Sequence, residues 1–219
     1  MALSFTLDNI MKFFTYVSPL FISSFLLIQS AMEWNLKGLV YLIGVCLTYI
    51  FGILLKTMFW QLDGRRIGGK WSRRPFRINT PGMPGHTNQA MPDYCSVFEG
   101  PFHNSTLSAI ATPSLNAMFH FFTFIYITLA VGFNPYKPPG GIAFVILLGI
   151  TAIANLSFRY ILMCDDFKSI AIGGVFGLIL GGLWFAAVKA TRPDWLFYGD
   201  EKQTKKCKLG TTKFKCTYE

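Results

Sequence analysis

Five long apolar stretches, separated by polar segments, dominate the pattern of the chain. They run over about 13–32, 38–60, 113–132, 141–158 and 169–188. Each is close to the roughly 20 apolar residues that a helix needs to cross a bilayer. Backbone groups in contact with lipid must be hydrogen-bonded within their own segment, which favours helices. The pattern therefore predicts an all-α, polytopic transmembrane bundle of about five spans.

The composition agrees with a membrane protein. Of the 219 residues, 52% are hydrophobic and 14% are charged, whereas soluble domains carry about 25% charged residues. Cations are concentrated in two segments, six of them in 61–77 and seven between Arg192 and Lys215. Basic segments beside membrane spans suit anionic lipid headgroups or an acidic protein partner. No motif for specific nucleic-acid recognition is evident.

Two extramembrane segments are predicted. Residues 61–112 include a stretch rich in Gly, Pro and Asn, which cannot lie exposed in hydrocarbon, so they form one long loop. Residues 191–219 form a basic C-terminal tail, and 1–190 form the transmembrane domain. Loops of this length are usually functional or held by a partner. Protein partners are therefore expected through 61–112 and 190–219.

An odd number of spans puts the two termini on opposite faces of the membrane. The 61–112 loop, the motif 113–116 and the turn 159–169 then share one face, which we call the loop face. Cations near the spans number eight on the loop face and eight on the other. The positive-inside rule thus leaves the orientation undecided, and a multi-pass integral membrane protein without an assigned compartment is expected.

Polar motifs border the apolar spans on the loop face, where their positions are informative because polar groups near the membrane are costly. A cationic segment ends in Arg74-Pro75, with Lys70 shortly before it. Pro113-Ser114-Leu115-Asn116 opens the third span, and Phe158-Arg159 ends the fourth.

The order of these motifs resembles that of the type-2 phosphatidic acid phosphatase superfamily, the lipid phosphatases related to haloperoxidases. That family carries Lys-x6-Arg-Pro, then Pro-Ser-Gly-His opening a helix, then Ser-Arg-x5-His-x3-Asp. Its last histidine attacks phosphorus and is oriented by the aspartate. Its middle histidine protonates the leaving group, and its cations hold the phosphate. The resemblance covers about 60–188 and implies a lipid-phosphatase-like scaffold.

The residues that perform the family's chemistry are replaced in this chain. Ser114 keeps the serine of the second motif, but Asn116 replaces its histidine. Asp165 stands at the nucleophile position and Ser169 at that of the orienting aspartate. A phosphohistidine route needs one imidazole as nucleophile and another as acid. The resemblance therefore implies a degenerate member without catalytic residues, a pseudoenzyme.

The remaining polar residues suit binding. By the resemblance, Arg74 and Arg159 would hold a phosphate or phospholipid headgroup through paired hydrogen bonds, with Lys70 and Asn116 beside them. No cofactor is implied. The five cysteines contain no Cys-x-x-Cys pair, so no metal site is predicted.

Two histidines keep an enzymatic alternative open. His86 follows Met83-Pro84-Gly85, and His120 lies one turn beyond Asn116 on the same helix face. Either could be a displaced catalytic residue, which would make the protein an active lipid phosphate phosphatase. A solvated loop histidine and a hydrogen-bonded intramembrane histidine are the favoured interpretations.

Glycines recur every four residues along the fifth span, at Gly173, Gly177 and Gly181. This spacing lines small residues on one helix face and permits close backbone approach. Packing within the protein is favoured over a dimer face.

Two further features of the sequence, an acidic pair and the cysteines, each have two interpretations. Asp165-Asp166 is interpreted as a hydrated turn, with a salt bridge between Asp165 and Arg159 as the specific alternative. The cysteines are interpreted as free thiols, with a disulfide between Cys207 and Cys216 as the alternative.

The sequence thus predicts an integral membrane protein on a lipid-phosphatase-like scaffold that lacks the catalytic histidines. Its role would be structural or adaptor-like within a larger assembly. The internal membrane of the virion of a large DNA virus is one such setting. A transporter or channel would need charged residues inside several spans, and the spans contain almost none.

Overall fold

A computed structural model describes residues 6–64, 112–134, 140–162, 164–197, 206–209 and 214–217. Within them lie five long helices: α1 (Leu7–Met32), α2 (Lys37–Gly64), α3 (Leu115–Gly132), α4 (Gly141–Ile161) and α5 (Phe167–Thr191). All five are long and apolar enough to cross a membrane, which confirms the predicted all-α fold with five spans. They indicate a multi-pass integral membrane protein.

Two helices extend beyond the predicted apolar stretches, because polar residues continue them. α1 begins six residues before the predicted start at residue 13 because Thr6 caps it. The Thr6 hydroxyl accepts a hydrogen bond from the Asn9 N–H at 3.4 Å. α2 continues four residues past the predicted end, to Gly64. Hydropathy locates the membrane-crossing part of a helix, whereas capping residues determine where it begins.

The C-terminal tail contains structure that the sequence analysis did not predict. A short 3-10 helix, Pro193–Trp195, follows α5. Two strands, β1 (Lys206–Leu209) and β2 (Phe214–Thr217), pair antiparallel. Their register places the backbone of Cys207 opposite that of Cys216.

The third helix, α3, lies at the centre of the bundle. Of its membrane-crossing window, 67% is buried, compared with 28 to 33% for the other four helices. Phe122 and Tyr126 of α3 stack with their rings 3° from parallel, and Tyr41 of α2 contacts both rings. The Tyr41 hydroxyl shares a hydrogen bond of 2.7 Å with the Thr123 hydroxyl. Aromatic packing and this bond thus attach α2 to the central helix.

The glycines of α5 permit its close contact with α3. A Cβ atom on Gly173 would lie 2.4 Å from the carbonyl oxygen of Ser114, and one on Gly177 would lie 2.5 Å from that of Met118. Gly181 lies similarly close to α3. No side chain fits at such distances, so the two backbones approach only because these positions are glycine. The prediction that the glycines pack within the protein is confirmed.

Candidate functional site

The candidate site lies at the loop-face ends of α3, α4 and α5. Ser114 is the residue before α3, and Arg159 is in the last turn of α4. Asp165 lies in the turn between α4 and α5, and Ser169 is in the first turn of α5. The fold brings these four residues together from three separate elements. We call them the loop-face cluster.

A buried ion pair forms the centre of the loop-face cluster. The Arg159 Nε atom donates a hydrogen bond to Asp165 Oδ2 at 2.5 Å, and the two side chains are only 4% and 1% exposed. Charged groups are buried at acceptable cost only when they are paired and hydrogen-bonded. The hydrated turn that was favoured for Asp165 is therefore wrong, and the alternative salt bridge is confirmed. Asp166, in contrast, is exposed.

Ser114 connects α3 to this ion pair. Its hydroxyl donates to Asp165 Oδ2 at 2.8 Å and accepts from the Ala117 N–H at 3.3 Å. A hydroxyl has one proton and two lone pairs, so it can cap the helix and bind the carboxylate at once. The Ser114 N–H also donates to the carbonyl of Ser169 at 3.1 Å. One residue thus fixes the position of α3 relative to Asp165 and α5.

Backbone hydrogen bonds hold the turn that carries Asp165. The carbonyl of Arg159 accepts from the N–H groups of Cys164 at 2.9 Å and Asp165 at 3.4 Å. The Asp166 carboxylate then caps α5 by accepting from the Phe167 N–H at 2.8 Å. Because the turn is tied to the last residues of α4, the Asp165 side chain has a defined direction.

The prediction of free thiols is correct for one of the two cysteines whose side chains are described. Cys46 is free. Cys164 is buried and disulfide-bonded, so the prediction is wrong at that position. The other half of this disulfide lies outside the residues whose side chains the structure describes.

Asn116 and His120 lie deeper than the loop-face cluster, on the buried side of α3. Neither the nitrogen nor the oxygen of the Asn116 amide has a hydrogen-bond partner, and Nε2 of His120 has none either. Both side chains are almost completely buried. Arg159 acts electrostatically on His120, and Asn155 is its other polar neighbour. The favoured interpretation of His120 as a hydrogen-bonded histidine is supported by its interaction with Asn155, although Nε2 has no partner at good hydrogen-bond geometry.

Asn155 is a site residue that sequence reasoning missed. Its side chain is fully buried, and its amide nitrogen donates to the Ser18 hydroxyl at 2.5 Å and to the Thr15 carbonyl at 3.4 Å. These contacts join α1 to α4. An isolated amide within an apolar span was the signal, because such a group requires a partner inside the protein.

Three predicted residues, Lys70, Arg74 and His86, lie outside the described residues. Their proposed roles stay predictions. In the described part of the chain, no group of three His, Cys, Asp or Glu side chains is arranged to hold a metal ion.

The chemistry available to the loop-face cluster is limited by the pairing of Asp165. Oδ2 of this carboxylate accepts from both Arg159 and Ser114. Hydrogen bonds to a carboxylate stabilise its negative charge and thereby reduce its tendency to attack an electrophile. The carboxylate also occupies the position next to Arg159 Nε that an external anion would otherwise take.

Removing the Ser114 hydroxyl is expected to destabilise the bundle. Ser114→Ala removes a helix cap and a hydrogen bond to a buried carboxylate, which together contribute about 1–3 kcal/mol. Thermal unfolding in detergent measures the change. Thr191→Ala is the control, because that exposed hydroxyl bonds only to carbonyls of its own helix end. Equal effects of the two substitutions would contradict the role of Ser114.

The fold and cluster define a class of protein: a five-helix membrane bundle with a buried ion pair at one membrane face. The chain matches no known protein family, no curated protein and no solved structure.

Proposed function

We propose that the protein is a non-catalytic, multi-pass membrane component with a structural or adaptor role, built on a lipid-phosphatase-like scaffold. The meeting of Ser114, Arg159, Asp165 and Ser169 supports the scaffold. The resemblance assigns these residues to two motifs that would form one site. Ser114 and Arg159 both donate to the Asp165 carboxylate, and the Ser114 N–H donates to the Ser169 carbonyl. Residues distant in sequence must converge in this way if the two motifs serve a common site.

The pairing of Asp165 is the observation that most directly supports the non-catalytic role. Asp165 stands where the resemblance places the nucleophile, and its carboxylate is engaged by Arg159 and Ser114. Ser169 at the orienting position has no carboxylate. A nucleophile needs an adjacent base or a lowered pKa with access to substrate. A buried carboxylate held in an ion pair serves the fold instead.

Anionic membrane lipids are the proposed non-protein partners. The predicted headgroup site comprises Lys70, Arg74, Arg159 and Asn116. Because Asp165 already balances the charge of Arg159, a bound headgroup would depend mainly on the loop cations Lys70 and Arg74. This form of binding is electrostatic and weakens with salt.

Protein partners are proposed to bind the segments 61–112 and 190–219, which carry most of the basic residues. Basic segments on both membrane faces suit a protein that joins a membrane to other components. One setting for this role is the internal membrane of a virion, which a protein shell encloses.

Phosphate release from phosphatidic acid tests the proposal. The purified protein in mixed micelles is expected to release no more phosphate than micelles without protein, because loss of a nucleophile or its base costs on the order of 10⁴-fold or more in rate. Turnover by the wild type that His86→Ala or His120→Ala abolishes would contradict the non-catalytic role. It would establish the alternative, an active phosphatase with displaced histidines.

A further inference from the structure

A second group of polar residues lies inside the bundle, deeper than the loop-face cluster. It consists of Thr15 and Ser18 from α1, Asn116 and His120 from α3, and Asn155 from α4. All five side chains are buried, with exposures between 0 and 6%. We call them the interior cluster.

Polar atoms without hydrogen-bond partners are concentrated in the interior cluster. Of the seven such atoms among the described side chains, five lie in this cluster: Thr15 Oγ1, Asn116 Nδ2 and Oδ1, His120 Nε2 and Asn155 Oδ1. Buried polar atoms in folded proteins almost always have a partner. In a membrane an unpaired group costs several kcal/mol because lipid offers no replacement. Five such atoms in one region indicate that something else satisfies them.

Contacts between the helices place these atoms around a common region. Asn155 bonds to both Thr15 and Ser18 across the α1–α4 contact. It is also the polar neighbour of His120, although no well-formed hydrogen bond joins the amide oxygen to Nε2. Asn116 lies one turn before His120 on α3, on the same face. The unpartnered atoms therefore lie between α1, α3 and α4.

The chemistry of these atoms identifies the ligand class. The Asn116 nitrogen donates, the amide oxygens of Asn116 and Asn155 accept, and the Thr15 hydroxyl and a neutral His120 can do either. None of these groups carries a charge, and the adjacent Arg159 and Asp165 are held in an ion pair with each other. A neutral ligand that both donates and accepts hydrogen bonds suits these atoms. Water is neutral, donates and accepts, and makes about three hydrogen bonds when buried.

We propose that the interior cluster is a hydrated site that binds a few water molecules inside the membrane-spanning bundle. Because Asn155 lies one turn before Arg159 on the same face of α4, the site adjoins the loop-face cluster and exchanges its water through that face. The proposal concerns hydration and does not depend on whether the protein is a phosphatase. A negative result in the experiment below would therefore overturn the hydrated site without affecting the proposed function, and the phosphate-release assay tests only the proposed function.

Radiolytic footprinting of the His120 imidazole tests the proposal. X-rays split water into hydroxyl radicals, so a buried side chain is oxidised where water lies beside it, and the oxidation is read by mass spectrometry of the peptide that contains His120. In folded wild-type protein, oxidation of His120 within about 100-fold of its rate in the unfolded chain is expected. Slower oxidation would mean that water reaches His120 only when the bundle opens, and would overturn the proposal.

Substitution of the water-binding groups provides a second readout. Asn116→Leu has similar volume but removes two of the unpartnered atoms, so the radiolytic oxidation of His120 is expected to slow by about fivefold or more. Thr151→Val is the matched control, because that hydroxyl bonds to the Leu148 carbonyl of its own helix at 2.9 Å; it should leave the rate unchanged. Equal rates in wild type and Asn116→Leu would show that the cluster does not bind the water, and would also overturn the proposal. The wild-type measurement stands even where Asn116→Leu fails to fold.

Discussion

Replacing Asp165 with asparagine is expected to lower the free energy of unfolding by about 3 kcal/mol or more. The substitution keeps the shape of the side chain but removes the negative charge that Arg159 Nε contacts at 2.5 Å. The Arg159 guanidinium, whose side chain is only 4% exposed, would then lose the counter-charge that Asp165 supplies. Unfolding in detergent, followed by circular dichroism as denaturant is added, measures the loss.

The neighbouring carboxylate provides the matched control. Asp166→Asn removes the same charge one residue away, on an exposed side chain that caps α5. Asparagine caps helices about as well as aspartate, so a change below about 0.5 kcal/mol is expected. If both substitutions have the same small effect, the ion pair does not stabilise the bundle and the account of Asp165 is wrong.

Placing a methyl group at Gly177 is expected to lower the free energy of unfolding by about 2–3 kcal/mol. The new Cβ of Gly177→Ala would lie 2.5 Å from the carbonyl oxygen of Met118. Because the obstacle is backbone, α3 and α5 must move apart, and this cost exceeds the gain in helix propensity of about 1 kcal/mol. The same unfolding assay measures the effect.

Gly182 lies on the same helix but has no atom within 4 Å of the position that its Cβ would take. Gly182→Ala should therefore be neutral or stabilising by up to about 1 kcal/mol. A loss of stability at Gly182 as large as that at Gly177 would contradict the assignment of one glycine face to the α3 contact.

Sequence reasoning predicted the helices better than their arrangement. Apolar length is sufficient to predict a membrane span, because lipid leaves the backbone few other structures. It does not predict which helix is central, since lipid and protein interior are similarly apolar. The central position of α3 became clear only from its burial. The small residues Gly173, Gly177 and Gly181 were the exception, because their spacing already indicated a packing face.

The site was predicted in part. The motif order singled out Ser114, Arg159, Asp165 and Ser169, which lie together in the fold, but it did not indicate how they pair. A charged residue in a short turn is usually hydrated, and the burial of Asp165 depends on the turn geometry that Arg159 sets. Thr15 and Ser18 carried no sequence signal, because single hydroxyls are common in membrane helices and usually bond to their own backbone.

The energetic coupling between Arg159 and Asp165 tests the central claim most directly, namely that the carboxylate at the nucleophile position serves the fold. A double-mutant cycle compares Arg159→Met, Asp165→Leu and the double variant in the same unfolding assay. The account predicts a coupling energy of about 2 kcal/mol or more, with the double variant more stable than either single variant, because an apolar pair replaces a buried ion pair at little cost. A coupling energy below about 0.5 kcal/mol, with each substitution tolerated alone, would contradict it.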